Sequence, residues 1–336
     1  MNEKQKMLAI GLKEIAILEK ELDKNDPTLA IAYHNLSSVY YNMEMLPEAL
    51  SYQQKAVAIR EKALSPYSSK LAISYCSIAT VLSDMNRFPE ALVYLQKACV
   101  ISEKIFDKNH PELATIYSDL SFTYMSLGQL YEALSYQQKA VAIHEQILDK
   151  DSLELAVSYR NLSDLYQNVK QFSEALAYLQ KTRAIGEKIL GKNDSDLATI
   201  YNELSILYLF IEQFPEALSY QQKAITIREK VLQKNDPDLA TSYNNLSNIY
   251  KATGQFPEAL KYALKDVAIC EKTLGKKHSR LAIGYSNIAF FYEKLNNITQ
   301  AKDYNMRAIA IMQHHFPDGC PELTAMLQFQ EHLNKD

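Results

Sequence analysis

A leucine returns every 42 residues along this chain. Leu29, Leu71, Leu113, Leu155, Leu197, Leu239, Leu281 and Leu323 form one column without a single insertion. A fixed period of this length marks stacked repeat units. It constrains the fold more than any local motif, because so short a unit cannot bury its apolar face alone and must lean on its neighbours.

Tyrosine supplies the other columns. Tyr33, Tyr75, Tyr117, Tyr159, Tyr201, Tyr243 and Tyr285 form one, and Tyr52, Tyr94, Tyr136, Tyr178, Tyr220, Tyr262 and Tyr304 another. A third holds Tyr40, Tyr124, Tyr166, Tyr208, Tyr250 and Tyr292, with Leu82 in place of a tyrosine. These columns absorb 20 of the 23 tyrosines, so the excess of this residue is core architecture.

Each unit reads as two amphipathic helices. Leu29, Tyr33, Leu36, Ser37 and Tyr40 make a stripe at helical spacing on the first, helix A, and Ala49, Tyr52, Ala56 and Ile59 make one on the second, helix B. Small residues, Ser37 and its equivalents on A and Ala49 and its equivalents on B, mark where two helices approach closely. Pro27, Pro111, Pro237 and Pro321 precede helix A, and Pro47, Pro89, Pro215 and Pro257 open helix B; at a first turn the missing N–H costs nothing. Asp26, Asp194 and Asp236 are predicted N-caps, whereas His110 and His278, at the same phase, read as loop residues. Gly128 and Gly254 fall at the A-to-B turn and Gly191 and Gly275 at the end of B, as helix C-terminal caps.

The series Tyr33, Leu36, Ser37, Tyr40, Leu46, Ala49, Tyr52, Ala56 resembles the tetratricopeptide repeat (TPR) signature, with Tyr for Trp and Ser for Gly. The unit exceeds the common TPR length of about 34 residues. Its extension, IREKALSP after Ala58 or IREKVLQKNDPDLA after Thr226, resembles that of kinesin light chain repeats and is similar to arrays in many bacterial multidomain proteins. The resemblance implies an all-α fold: a right-handed superhelical α-solenoid of tandem helix-turn-helix units, with helix A lining the concave surface. Residues 1–24 align with a helix B alone, 27–320 hold seven units, and 321–336 form a C-terminal capping helix with a polar outer face. The orphan helix B at the start reads either as a cap or as the mark of a segment of a longer protein.

On helix A the face opposite the core stripe carries Ile31, His34, Asn35, Ser38, Tyr41 and Asn42. Along the array this row is rich in asparagine: Asn35, then Arg160 and Asn161, Asn202, then Asn244, Asn245 and Asn248 with Lys251, and Asn287. Asparagine both donates and accepts, so such a ladder suits an extended peptide backbone. The kinesin light chain resemblance implies that role for Asn35, Asn161, Asn245 and Asn287; Ser77, Asp119 and Glu203 interrupt the series. The two-lysine, two-asparagine, one-arginine carboxylate clamp of chaperone-binding TPR domains is absent from the matching positions.

Other classes are excluded on chemistry. A net charge of −4 carries no basic stripe for nucleic acid. No apolar run reaches the length of a membrane span, and the N-terminus reads as an amphipathic helix. Cys76, Cys99, Cys270 and Cys320 are scattered, as free thiols of a cytoplasmic protein are. There is no phosphate loop, no nucleophile elbow and no paired nucleophile and base, so no catalytic residue and no cofactor is expected. His314, His315, Asp318 and Cys320 read as loop residues and not as a metal site. The Tyr-Gln-Gln-Lys of helix B (Tyr52, Tyr136, Tyr220) reads as a solvated face, and Glu61/Lys62, Glu103/Lys104 and Glu187/Lys188 as solubilising pairs. Asp266, in a column of alanines, either tilts out to solvent or breaks the stack.

The expected function is a protein–protein interaction scaffold that binds a peptide or partner segment in the concave groove. The alternative is a sensor or regulatory arm of a larger signalling protein; self-association through the terminal helices is a third possibility.

Overall fold

A computed structural model describes residues 3–335, and every regular element among them is an α-helix. The chain divides into two compact bodies, 1–171 and 172–336. The first holds α1 (Glu3–Glu21), α2 (Pro27–Asn42), α3 (Leu46–Ala63), α4 (Ser69–Asp84), α5 (Phe88–Ile105), α6 (Pro111–Ser126), α7 (Leu130–Ile147) and α8 (Leu153–Asn168). The second holds α9 (Phe172–Ile189), α10 (Ser195–Phe210), α11 (Phe214–Val231), α12 (Pro237–Ala252), α13 (Phe256–Thr273), α14 (Ser279–Lys294), α15 (Ile298–His315) and α16 (Pro321–Leu333). Within each body the helices pack in sequence order as tandem pairs, each on the one before and the one after, in a solenoid. From α2 to α15, even-numbered helices are A helices of 16 residues and odd-numbered ones are B helices of 18.

The caps explain the regularity. Asp26, Asp194 and Asp236 accept the backbone N–H two residues on, as their position predicts. His110 and His278 are caps as well, their Nδ1 accepting from Glu112 and Arg280, so the loop reading of these histidines is corrected. The A-to-B turn needs a left-handed residue: Gly128 and Gly254 supply it without strain, while Glu44, Asn86, Lys170, Glu212 and Asn296 adopt φ near +60° with side chains. Gly191 has no positive φ, unlike the C-cap expected there; several B helices end on an extended residue such as Leu64 or Leu232.

A and B are joined by more than shape. The buried Ser37, Ser121, Ser205 and Ser247 hydroxyls donate to the carbonyls of Ala49, Ala133, Ala217 and Ala259 at 2.7–2.8 Å, so the small residue also closes a hydrogen bond between the helices. Tyr40 stacks on Tyr52 with centroids 5.5 Å apart, and Tyr124–Tyr136 and Tyr208–Tyr220 repeat that geometry. Lys55 lies 5.0 Å from the Tyr52 ring and 5.2 Å from that of Tyr33, covering the aromatic layer with a cation.

Glu61, Glu103 and Glu187, expected as solubilising partners of the adjacent lysines, instead join their B helices to the next A helix, as Glu229 does. Tyr75 donates its hydroxyl to Glu61, Tyr117 to Glu103, Tyr201 to Glu187 and Tyr243 to Glu229, at 2.7–3.0 Å. Burial, reinforced by the neighbouring carboxylate, pushes the Tyr33 and Tyr201 hydroxyls up to about 12. At the ends the pattern relaxes: Ile17, in a column otherwise buried, is 54% exposed, with no A helix beside it among the described residues. The terminal α16 buries Leu323, Met326 and Leu333 and exposes Glu331, His332, Asn334 and Lys335.

Asp266 resolves differently from either expectation. It is 5% exposed inside an unbroken α13, accepts the Cys270 thiol at 3.3 Å and lies 3.5 Å from Arg280 of α14. Burial raises its pKa, and the thiol contact and the arginine pull the other way.

Candidate functional site

The outward face of the A helices is polar in the first body, with apolar islands. On α2, Asn35, Ser38 and Asn42 are exposed and His34 and Tyr41 half-buried. A cavity of about 300 Å³ between α2 and α4 is lined by His34, Ser38, Tyr41, Asn42, Ser77 and Thr80, with Gln53 of α3 as its floor. Tyr41 donates to Asp84 across this seam. Further along, Asn161 is exposed and Arg160 half-buried on α8. On α6, Asp119 is half-buried, and burial lifts its carboxyl to about 6.

In the second body the asparagine row divides into two kinds. Asn202, expected to line the groove, is only 8% exposed. Its Oδ1 accepts from Gln221 of α11 at 3.2 Å and from Asn245 of α12 at 2.9 Å, so Asn202 and Asn245 are committed to the scaffold. Asn202 is thereby corrected as a surface residue: a helical wheel shows what lies opposite the core of one helix, but α11 and α12 close over it. Asn244, Asn248 and Asn287 remain half-buried and make no side-chain hydrogen bond among the described residues. Asn287 and Lys251 line a second cavity, of about 430 Å³, with Ile283, Phe290, Phe329 and Glu322. Lys251 Nζ lies 4.8 Å from the Phe290 ring and Lys294 Nζ 5.3 Å from it, so two cations flank this aromatic ring.

The glutamines of the Tyr-Gln-Gln-Lys segment do not all lie on the solvated face expected of them. Gln53, Gln137 and Gln221, each first of its Gln pair, are buried and donate Nε2–H to the backbone carbonyls of Ser74, Ser158 and Ser242 on the following A helix, at 3.0–3.4 Å. Buried Asn305 does the same to Met326. Beside them Arg60 bonds Ser74, His144 bonds Ser158 at 2.9 Å and Arg228 bonds Ser242 at 2.6 Å. The intervening joints carry apolar or small residues instead: Leu95, Ser102 and Ile116, then Leu179, Gly186 and Ile200, then Ala263, Cys270 and Gly284. Joints therefore alternate between polar and apolar with a period of two units. That signal, Gln against Leu in one column every second repeat, stands in the sequence but is invisible when all units are averaged.

Two further groups lie away from the groove. His314 and His315 pack edge to face at 5.4 Å; His315 Nε2 contacts the Lys277 carbonyl at 2.6 Å, and Cys320 caps α16. Burial pushes the Cys99 thiol up to about 12 and that of Cys270 to about 11, which makes them inert packing residues.

Comparison with known proteins agrees with this architecture. A tetratricopeptide repeat family model matches residues 28–104, 112–188 and 164–230, and a second one matches 239–280. Among curated proteins none matches. A Podosopora anserina structure described as kinesin light chain with nearly identical TPR-like repeats is 27% identical, with a TM-score of 0.55 over 62% of this chain and 98% of its own. BtubC (BKLC) from P. vanneervenii is 19% identical, TM-score 0.54, over 82% and 94%. A signal transduction ATPase with numerous domains (STAND) protein with a tetratricopeptide repeat sensor, from Pyrococcus horikoshii, is 18% identical, TM-score 0.64, over 99% of this chain and 50% of its own. The last two show likeness of fold alone. With the family model covering more than half its length, and with repeats like those of kinesin light chain, this chain belongs to the tetratricopeptide repeat family.

Proposed function

We propose that this chain is a non-catalytic protein–protein interaction scaffold that holds an extended peptide segment along the A-helix face of its second body. The observation that carries the reading is the cavity at Asn287 and Lys251. Free amides at Asn287 on its lining and at Asn244 and Asn248 on α12 can pair with a peptide backbone, and the Ile283, Phe290 and Phe329 surface can take an apolar side chain beside Asn287. In the first body Asn35, Arg160 and Asn161 occupy the equivalent row and are proposed as a secondary contact surface. The family's general role in binding protein partners suits this assignment, and the scattered thiols suit a cytoplasmic setting.

The test is co-purification with the triple variant Asn244→Ala, Asn248→Ala, Asn287→Ala. Loss of the partners recovered by the wild type, with unchanged helicity, supports the groove; recovery of every one of them rejects it.

A second reading, a sensor arm of a larger signalling protein, draws on the apolar face that α1 presents through Met7, Ile10 and Ile17, which suits a covering element or a second copy. Light scattering separates these: a dimer dispersed by Ile10→Glu and Ile17→Glu points to self-association through α1, and a monomer in both leaves the covering element.

A further inference from the structure

The loop from α13 to α14 departs from its counterparts in one direction only. The corresponding tetrads before the other A helices of the seven units are Asp-Lys-Asn-Asp (23–26), Ser-Pro-Tyr-Ser (65–68), Asp-Lys-Asn-His (107–110), Asp-Lys-Asp-Ser (149–152), Gly-Lys-Asn-Asp (191–194) and Gln-Lys-Asn-Asp (233–236), with at most one lysine each. Here the tetrad is Gly275, Lys276, Lys277, His278, with two lysines and no acid, and α14 has no carboxylate in its first turn. The loop is fastened in place by the His315 Nε2 contact to the Lys277 carbonyl.

Lys276, Lys277, Arg307 and His314 converge on one cavity of about 650 Å³, whose floor is Tyr285, Ala310 and Ile311. It shares no lining residue with the groove cavity. Neither lysine side chain has an ion-pair or hydrogen-bond partner among the described residues. Glu271 is the one acid on the lining, and its Oε1 is occupied by the Tyr285 hydroxyl at 2.5 Å. Arg307 spends one arm on Asp303 at 2.7 Å. The rim thus carries two lysines and an arginine against one lining carboxylate and the Asp303 pair, an excess of positive charge whose mutual repulsion an entering anion relieves.

We propose that this cavity binds a small organic phosphate. The cationic rim supplies charge-assisted hydrogen bonds to phosphate oxygens. The apolar floor and a volume in the range of small-molecule sites call for an organic body attached to the phosphate, and inorganic phosphate would fill only one corner.

Isothermal titration of the full chain at low salt tests this with adenosine monophosphate, adenosine, pyrophosphate and a phosphoserine peptide as probes. Saturable binding of the monophosphate, absence of binding by adenosine, and weakening by about tenfold or more in Lys276→Gln/Lys277→Gln support the site, since the loss of a charge-assisted contact is of that order. Lys251→Gln, in the groove cavity, leaves that binding unchanged. Both loop lysines are exposed, so the variant keeps its fold, and its circular dichroism and melting checks that. The proposal is overturned if the double variant binds as the wild type does, if adenosine binds equally, if no phosphate probe binds, or if only pyrophosphate or only the phosphoserine peptide does.

Discussion

The Gln221 side-chain amide donates to the backbone carbonyl of Ser242 at 3.0 Å, across the joint between α11 and α12. The same nitrogen reaches Asn202 of α10, so a single buried group ties together three helices. Its worth comes less from the bonds gained than from the cost of leaving buried partners unpaired.

Exchanging this joint for its apolar counterpart tests that view. Ser242→Ile alone forces a branched side chain against Arg228 and should cost about 2–3 kcal/mol. Gln221→Leu, Arg228→Ser and Ser242→Ile together reproduce the Leu95, Ser102, Ile116 joint and should return to within about 1 kcal/mol of the wild type. Urea unfolding of the single and triple variants measures the coupling; strictly additive losses would reject the alternation as a matched set.

The Tyr–Glu pairs predict a smaller, repeatable effect. Tyr243→Phe removes a 2.7 Å bond to the half-exposed Glu229, which water can then satisfy, so the loss should be about 1 kcal/mol. The same change at Tyr75 or Tyr117 should cost about as much, and thermal melts of the three variants check that equivalence.

Asp119 gives a pH dependence of defined sign. Its folded-state pKa is raised from 3.8 to about 6, so between those values the native state keeps a proton that the unfolded chain releases. Stability therefore falls as pH rises through that window and levels off above about 6. Asp119→Asn should flatten this slope and gain about 1–3 kcal/mol at neutral pH, read from melts at both ends of the window.

Asp266 carries a prediction that runs against intuition. Burial raises its pKa, so its ion pair with Arg280 is formed against a desolvation cost. Asp266→Ala restores the alanine of its column and leaves Arg280 partly solvated. The variant should be within about 1 kcal/mol of the wild type or more stable, because the desolvation cost of the carboxylate goes with it and the Arg280 side chain, 38% exposed, can turn to water instead of being left as a buried unpaired charge. A loss of several kcal/mol in chemical denaturation would show that the pair locks α13 to α14.

What the sequence made legible was whatever repeats in every unit. Leu29, Tyr33 and Ala49 recur at 42 residues, and from them follow the helices, their stripes and the turns. What it concealed were pairings between units. Gln53 and Gln54 are the same residue side by side, yet the first is buried on Ser74 and the second faces solvent, because only one points into the next A helix. Glu61 looks like one half of a surface pair until the hydroxyl of Tyr75, 14 residues on, is brought over it. Asn202 sits on the predicted face of α10 and is covered by two helices that a single-helix projection does not contain.

That last difference separates scaffold asparagines from those open to a ligand. Asn202→Ala strands Asn245, takes one of the two acceptors of Gln221 and should lower stability by about 1–3 kcal/mol. Asn287→Ala, on a residue with no internal partner, should leave the melting temperature within about 1 °C. If the groove reading holds, the partner affinity moves the other way round: Asn287→Ala weakens binding while the fold is intact, and Asn202→Ala weakens it only as far as the fold is lost. Melting curves and partner titrations on the same two variants decide it, and an Asn287→Ala protein that binds as tightly as the wild type would move the contact surface off this cavity.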